Sequence, residues 1–195
     1  PERLIGLQNA DPSSVHLPLW GSFSLNGLGE ELASHGDLLE HGAIGLADDD
    51  AVVPLPLLER GLLLGEMGSC PVLIAPRDPK LQGNGLAREG VETLRAGWAP
   101  DPLISELLPL QQLLALQQRH PDRQLRLMNI STAAGVDLLS QADPQLKASV
   151  CWWHLLVDGS SLSSTDPGCR VRPSLGGAAD RLSLRSALQS GVIQA

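Results

Sequence analysis

PVLIA, residues 71–75, is the stretch on which the fold turns. Five apolar residues in succession show no polar alternation, so the run reads as a strand buried on both faces of a parallel sheet. Its neighbours repeat the theme. Residues 42–47 (GAIGLA) are a short apolar run ending in Asp48-Asp49-Asp50, and residues 54–64 read as a helix with Pro56 tolerated near its start. Further upstream, residues 15–24 (VHLPLWGSFS) read as a strand. Residues 29–40 read as a helix with Leu32, Leu38 and Leu39 on one side.

Downstream, Asp101-Pro102 opens a helix, with Asp as N-cap and Pro at the first helical position. That helix carries Leu103, Leu107, Leu110, Leu114 and Leu116, is expected to kink at Pro109, and closes at His120-Pro121-Asp122. Residues 124–130 (QLRLMNI) read as the next strand, and Ser131-Thr132 caps a helix holding Val136, Leu138 and Leu139. Residues 147–157 read as another strand and residues 183–190 as a last helix. Strands and helices alternate without a hairpin signal, which predicts an α/β fold with a parallel sheet. The Gly- and Ser-rich residues 159–173 read as one long loop, and residues 83–85 (Gly-Asn-Gly) as a plain turn.

Composition narrows the function classes. The chain has 195 residues, 22 acidic against 14 basic, and a net charge of −8. That acidic balance argues against a nucleic-acid surface or a polybasic membrane surface. No window approaches eighteen uncharged apolar residues, so no membrane-spanning helix is expected. Pro1-Glu2-Arg3 has no basic-then-apolar leader and no initiator Met, which suggests a piece cut from a longer chain. The length suits a single domain over residues 1–195. Cys70, Cys151 and Cys169 form no CxxC pair and read as buried, reduced thiols of a cytoplasmic protein.

Candidate chemistry gathers at strand ends. Asp48 and Asp49 sit where an apolar strand runs out, a position where carboxylates can bind metal or act as bases, or simply form a solvated acidic turn. Among the five histidines no HxH, HExxH or HxxxH spacing occurs. His154, near the end of the 147–157 strand, has the one site-like position, and His120 is placed to complement a helix dipole. Arg77-Asp78 follows the 71–75 strand and reads as a surface pair.

The order of these segments resembles the dihydroorotase branch of the cyclic amidohydrolases, a metal-dependent (β/α)8-barrel family. Leu19-Trp20-Gly21-Ser22 and Gly29-Glu30-Glu31-Leu32 resemble its G-A-L-T strand end and G-E-E-L helix, and residues 42–50 (GAIGLADDD) its aGavgFSDDG strand. Residues 71–81 (PVLIAPRDPKL) resemble PV-hH-ED-L, with Ala87-Arg88-Glu89-Gly90 as its xxEG continuation. Asn129-Ile130-Ser131-Thr132 falls where the family has H-[IV]-S-T, and residues 150–156 (VCWWHLL) where it has VTPHHLL. Residues 170–175 (RVRPSL) resemble KVNPPLR, and Asp180-Arg181 through residues 191–195 (GVIQA) its DR-AL---L--G-IDA ending.

The resemblance implies a partial (β/α)8 barrel, roughly strands three to seven, incomplete at both ends. The family's HxH motif would lie before Pro1 and its D-H-x-P-H aspartate after Ala195. It also implies a pair of divalent metals, zinc in the type case, held by imidazoles at about 2.0–2.1 Å. The departures fall at that chemistry. The H-x-E-D histidine aligns with Ala75 and the H-[IV]-S-T histidine with Asn129. The first histidine of P-H-H-L aligns with Trp153, and the second survives as His154. The substrate-contacting Asn of N-P-P-L-R aligns with Arg172, the candidate substrate-binding residue, and its Arg with Gly176.

A methyl group has no lone pair, and a carboxamide is a poor substitute for imidazole on zinc. No metal is therefore expected here, and Asp48, Asp49 and His154 remain as catalytic candidates without an intact set. Taken with these departures, the resemblance points to a pseudoenzyme of pyrimidine biosynthesis, and it permits a structural role beside aspartate transcarbamoylase or in self-association. The alternative is an active dihydroorotase with a modified zinc site built from Asp48, Asp49, His154 and ligands outside this chain. A third reading is a relative of the allantoinases or hydantoinases.

Overall fold

The computed structural model describes residues 18–48, 53–165 and 167–194. In chain order its elements begin with β1 (Gly21–Ser22), α1 (His35–Glu40), β2 (Leu46–Asp48), α2 (Leu55–Leu64) and β3 (Val72–Ile74). There follow α3 (Pro79–Gln82), β4 (Ala87–Arg88), α4 (Val91–Arg95), β5 (Pro100–Asp101) and α5 (Ile104–Arg119). The chain then forms β6 (Leu125–Leu127), α6 (Ala133–Ser140), β7 (Lys147–Ala148), α7 (Trp152–Leu156) and α8 (Ala178–Ser190). The residues divide into two units. The first holds the described residues up to Ile74 together with Leu116–Arg126; the second holds Ala75–Ala115 and the described residues from Leu127 onward.

In the first unit the strand order is β1-β2-β3-β6. The pairs β1–β2 and β2–β3 are parallel, with Gly21 opposite Leu46, Leu46 opposite Val72 and Asp48 opposite Ile74. Short strands separated by helices are what a parallel crossover requires. The apolar run over residues 71–75 contains β3 as predicted, but burial alternates: Val72 and Ile74 are buried and Leu73 is half-buried. The strand therefore has one face in the core and one at its margin.

Helix α2 turns Leu58, Gly61 and Leu62 inward, an i, i+3, i+4 stripe. Gly61 is required there, because a Cβ would come within 2.5 Å of Phe23 Cζ, and Phe23 is fully buried. The 29–40 helix is shorter than expected. Residues 29–34 are not helical, and Leu32 instead makes an antiparallel bridge with Ser24. His120 does more than face a helix end. Its Nε2 lies 2.7 Å from Glu59 Oε2, and Arg119 Nε donates to Glu59 Oε1 at 2.6 Å. These two partners hold the Glu59 carboxyl below its ordinary range.

In the second unit β4 and β5 form a separate parallel pair. The core is built on Leu110, Leu127, Ile130, Leu175, Leu184 and Ile193. Helix α5 runs on through Pro109. A proline cannot donate to the carbonyl four residues back, and that carbonyl, Ser105 O, accepts instead from the amide of Asp78 at 2.8 Å. Asp78 caps α3, its side chain accepting from Lys80 N and Leu81 N at 2.8 and 3.2 Å.

The strand read over residues 147–157 is corrected. Only Lys147–Ala148 is strand, and Trp152–Leu156 is a helix with Trp152 and Leu156 exposed and His154 buried on the opposite side. Four apolar residues around a histidine satisfy either period, and five residues are too few for the pattern to arbitrate. The long loop over residues 159–173 contains two 3-10 turns, Gly159–Ser161 and Pro167–Cys169. The cysteines are unpaired and half-buried rather than buried. Among the described residues no helix is long and apolar enough to cross a membrane.

Candidate functional site

The acidic stretch ends β2 in the first unit. Asp48 is buried, and both of its oxygens are occupied. Oδ1 accepts from the amide of Phe23 at 3.0 Å, and Oδ2 accepts from the amide of Ser24 at 2.9 Å and from the Ser24 hydroxyl. Ser24 Oγ in turn accepts from Gly29 N at 2.8 Å, and His35 Nε2 lies 2.7 Å from Phe23 O. Because β1 and β2 are parallel neighbours, a carboxylate at the end of β2 meets the amides just beyond the end of β1. The arrangement pins the turn that leaves β1, with charge-assisted bonds worth about 1.5–3 kcal/mol each. Asp49 and Asp50 lie outside the described residues.

The second unit contains a buried ionic cluster that reading the sequence does not find. Arg88 and Asp101 are register partners on β4 and β5, so their side chains share a face. Their ion pair is 3.1 Å long, and a second joins Arg88 Nη2 to Glu106 Oε2 at 3.1 Å, all three side chains being at most 5% exposed. Arg88 also donates to Ser105 Oγ at 2.7 Å and to Ser131 Oγ at 2.9 Å. Glu106 accepts from the Ser131 amide and hydroxyl and, at 2.6 Å, from Thr132 Oγ1. Thr132 Oγ1 accepts from Gly135 N at 3.0 Å and so caps α6 as expected. Asp101, expected as an N-cap, spends its carboxylate on Arg88 and on the Ser105 hydroxyl, 2.6 Å away. No sequence signal marks it: Arg88 sits in the xxEG segment, Glu106 lies in an ordinary amphipathic helix, and the β4–β5 register that aligns Arg88 with Asp101 is set by tertiary pairing.

The remaining site residues belong to this same unit. Ala75 follows β3, and its carbonyl accepts from Arg77 N at 2.9 Å. Asn129 follows β6 in the left-handed region (φ 58°), a conformation asparagine tolerates better than most residues. Its amide donates to Ser149 Oγ at 3.4 Å. His154 Nε2 lies 3.0 Å from the carbonyl of Pro173, while its Nδ1 is buried without a partner among the described residues. Burial holds the His154 ring below its ordinary pKa; the backbone of Pro173 and Ser174 opposes that shift, and the charge of Arg88 adds to it. The ring is therefore neutral, with Nε2–H donating to Pro173 O. Arg172 is exposed.

These donors do not fit a dinuclear metal centre. Ala75 offers a methyl group and Asn129 a carboxamide. His154 turns Nε2 to a backbone carbonyl and keeps its lone pair on Nδ1, a single imidazole donor, while both oxygens of Asp48 are engaged by Phe23 and Ser24. Among the described residues no group of three or more His, Cys, Asp or Glu is placed to hold a metal ion.

Comparison with known proteins places the architecture. No family model matches the chain. A solved L-hydantoinase from Arthrobacter aurescens superposes with a TM-score of 0.71 at 19% identity, over 92% of this chain and 42% of its own. A dihydroorotase from Saccharomyces cerevisiae solved with 5-fluoroorotic acid superposes with a TM-score of 0.66 at 14% identity, over 97% of this chain and 54% of its own. The fold is therefore α/β with a parallel sheet, part of a (β/α)8 barrel of the amidohydrolase type.

Sequence narrows this further. A probable dihydroorotase-like protein of Synechocystis is 36% identical over 95% of this chain and 44% of its own length. A dihydroorotase of Mycobacterium leprae is 33% identical over 89% of this chain and 41% of its own. The chain belongs to the dihydroorotase-like proteins of the amidohydrolase superfamily, and it spans less than half the length of the curated relatives it matches.

Proposed function

We propose that this chain is part of a dihydroorotase-like protein of pyrimidine biosynthesis that does not hydrolyse or close the cyclic amide. The observation that carries the reading is the pair Ala75 and Asn129. Each stands at the end of a core strand, where the resemblance calls for an imidazole, and neither can donate a nitrogen lone pair to a divalent ion. Losing two adjacent ligands removes the ions that would activate water and polarise the carbonyl. Asp48 does not make up the deficit, since its carboxylate serves as a clamp on Phe23 and Ser24.

The family resemblance extends the proposal to a structural role, beside aspartate transcarbamoylase or in self-association. Co-purification and sedimentation of the whole protein with that enzyme test this part. The catalytic part is tested by assaying the whole protein with dihydroorotate and with carbamoyl aspartate in the presence of zinc, cobalt or manganese. The expected result is no turnover above the uncatalysed rate. Metal-dependent turnover in any of the three would overturn it.

A further inference from the structure

A cavity adjoins Arg172, next in the chain to the Pro173 whose carbonyl meets His154. It has a volume of about 370 Å³ and is lined by residues 82–86 (Gln-Gly-Asn-Gly-Leu) on one side and by Arg170, Val171 and Arg172 on the other. Its first wall is fixed by close packing. A Cβ on Gly85 would come within 2.6 Å of the Asp101 backbone, so only glycine lets the loop approach β5. Gly83 has φ +56°, the left-handed side that also favours glycine. The amides of Gly83, Gly85 and Leu86 bond to Pro79 O, Gln82 O and Ala99 O at 2.9–3.0 Å. The two walls are tied together, because Gln82 Nε2 donates to Ser174 Oγ at 3.3 Å.

The side chains facing this cavity are left with donors to spare. Arg172 makes no hydrogen bond or ion pair among the described residues, and neither does the carboxamide of Asn84. Arg170 Nη2 donates to Ser164 O at 3.2 Å and to Ser163 O at 3.5 Å, which orients the guanidinium while its other donors meet no partner among the described residues. None of the described lining residues carries a carboxylate. In a chain of net charge −8 this is a local inversion of sign. Paired guanidiniums with an amide donor match the planar, multi-oxygen geometry of phosphate and carboxylate.

We propose that this cavity binds the oxyanion group of a small metabolite, with Arg172 and Arg170 as its cationic clamp and Asn84 as an added donor. The proposal is independent of whether the chain is catalytic. It is tested by calorimetric titration of the full chain with inorganic phosphate and, separately, with succinate, at low ionic strength. Saturable binding of either probe is expected, and the stronger of the two identifies the head group. Arg172→Ala should weaken it about tenfold or more, the loss of one charge-assisted contact. Arg172→Lys should retain part of it, and Arg185→Ala, on the exposed side of α8, should leave it unchanged. Arg172 has no partner to lose among the described residues, so these variants are expected to fold as the parent does, and protection of Arg172 from phenylglyoxal by the bound anion gives a second readout. Non-saturating uptake of both probes, or equal binding by Arg172→Ala and the parent, would overturn the proposal.

Discussion

Replacing Glu106 by Gln removes one charge from the buried cluster and changes almost nothing else. With its carbonyl oxygen in the place of Oε2, the glutamine still accepts from Ser131, and its amide can meet the lone pairs of Thr132 Oγ1. What disappears is one of the two carboxylates that balance Arg88, leaving Asp101 at 3.1 Å as its anionic partner among the described residues. Breaking a buried pair costs about 3–5 kcal/mol. The surviving Asp101 pair puts this case at the lower end, about 3 kcal/mol, out of a total stability on the order of 5–15 kcal/mol. For a chain of this length that is a fall in Tm of about 6–12 °C. Urea and thermal unfolding followed by circular dichroism would read it. The comparison variant is Glu92→Gln, whose pair with Arg95 has the same 3.1 Å length but is about 70% exposed on both sides. That variant should stay within about 1 kcal/mol of the parent. If both variants shift stability by the same small amount, the cluster is not carrying the second unit and the reasoning is wrong.

Two further outcomes follow from the same geometry. Asp48→Asn sets an amide NH2 against the Phe23 or Ser24 amide, and should cost about 2–3 kcal/mol. The loss should be accompanied by faster hydrogen exchange at those two amides, and unchanged exchange there would refute the clamp. The His154 ring has its pKa depressed in the folded state. The unfolded chain therefore takes up a proton first as pH falls below about 6.5, and stability present above that pH declines below it. His154→Gln should flatten the pH dependence of the urea midpoint between pH 7.5 and 5.0; an identical slope in parent and variant would contradict the assignment of a neutral, buried ring.

Much of the architecture is legible in the residues. An uninterrupted apolar run such as residues 71–75 admits few readings, and Thr132 announces a helix because its hydroxyl can take the amide of Gly135. Residues 147–157 misled, because burying His154 while exposing Trp152 and Leu156 is a helical period hidden in a run that also suits a strand. The departures at Ala75 and Asn129 were legible only against the family pattern, since alanine and asparagine carry no signal by themselves. The Arg88–Asp101–Glu106 cluster was not legible at all. It depends on a two-residue strand pairing at β4 and β5, a length at which local preference says almost nothing and tertiary register decides.

A methyl group and a carboxamide stand where the family resemblance calls for two imidazoles. Zinc content, measured by elemental analysis of the whole protein after dialysis against micromolar zinc, tests that directly. We expect well under one ion per chain, and the same content in Asn129→Ala and His154→Ala as in the parent. Stoichiometric zinc that is lost on Asn129→Ala or His154→Ala would contradict it.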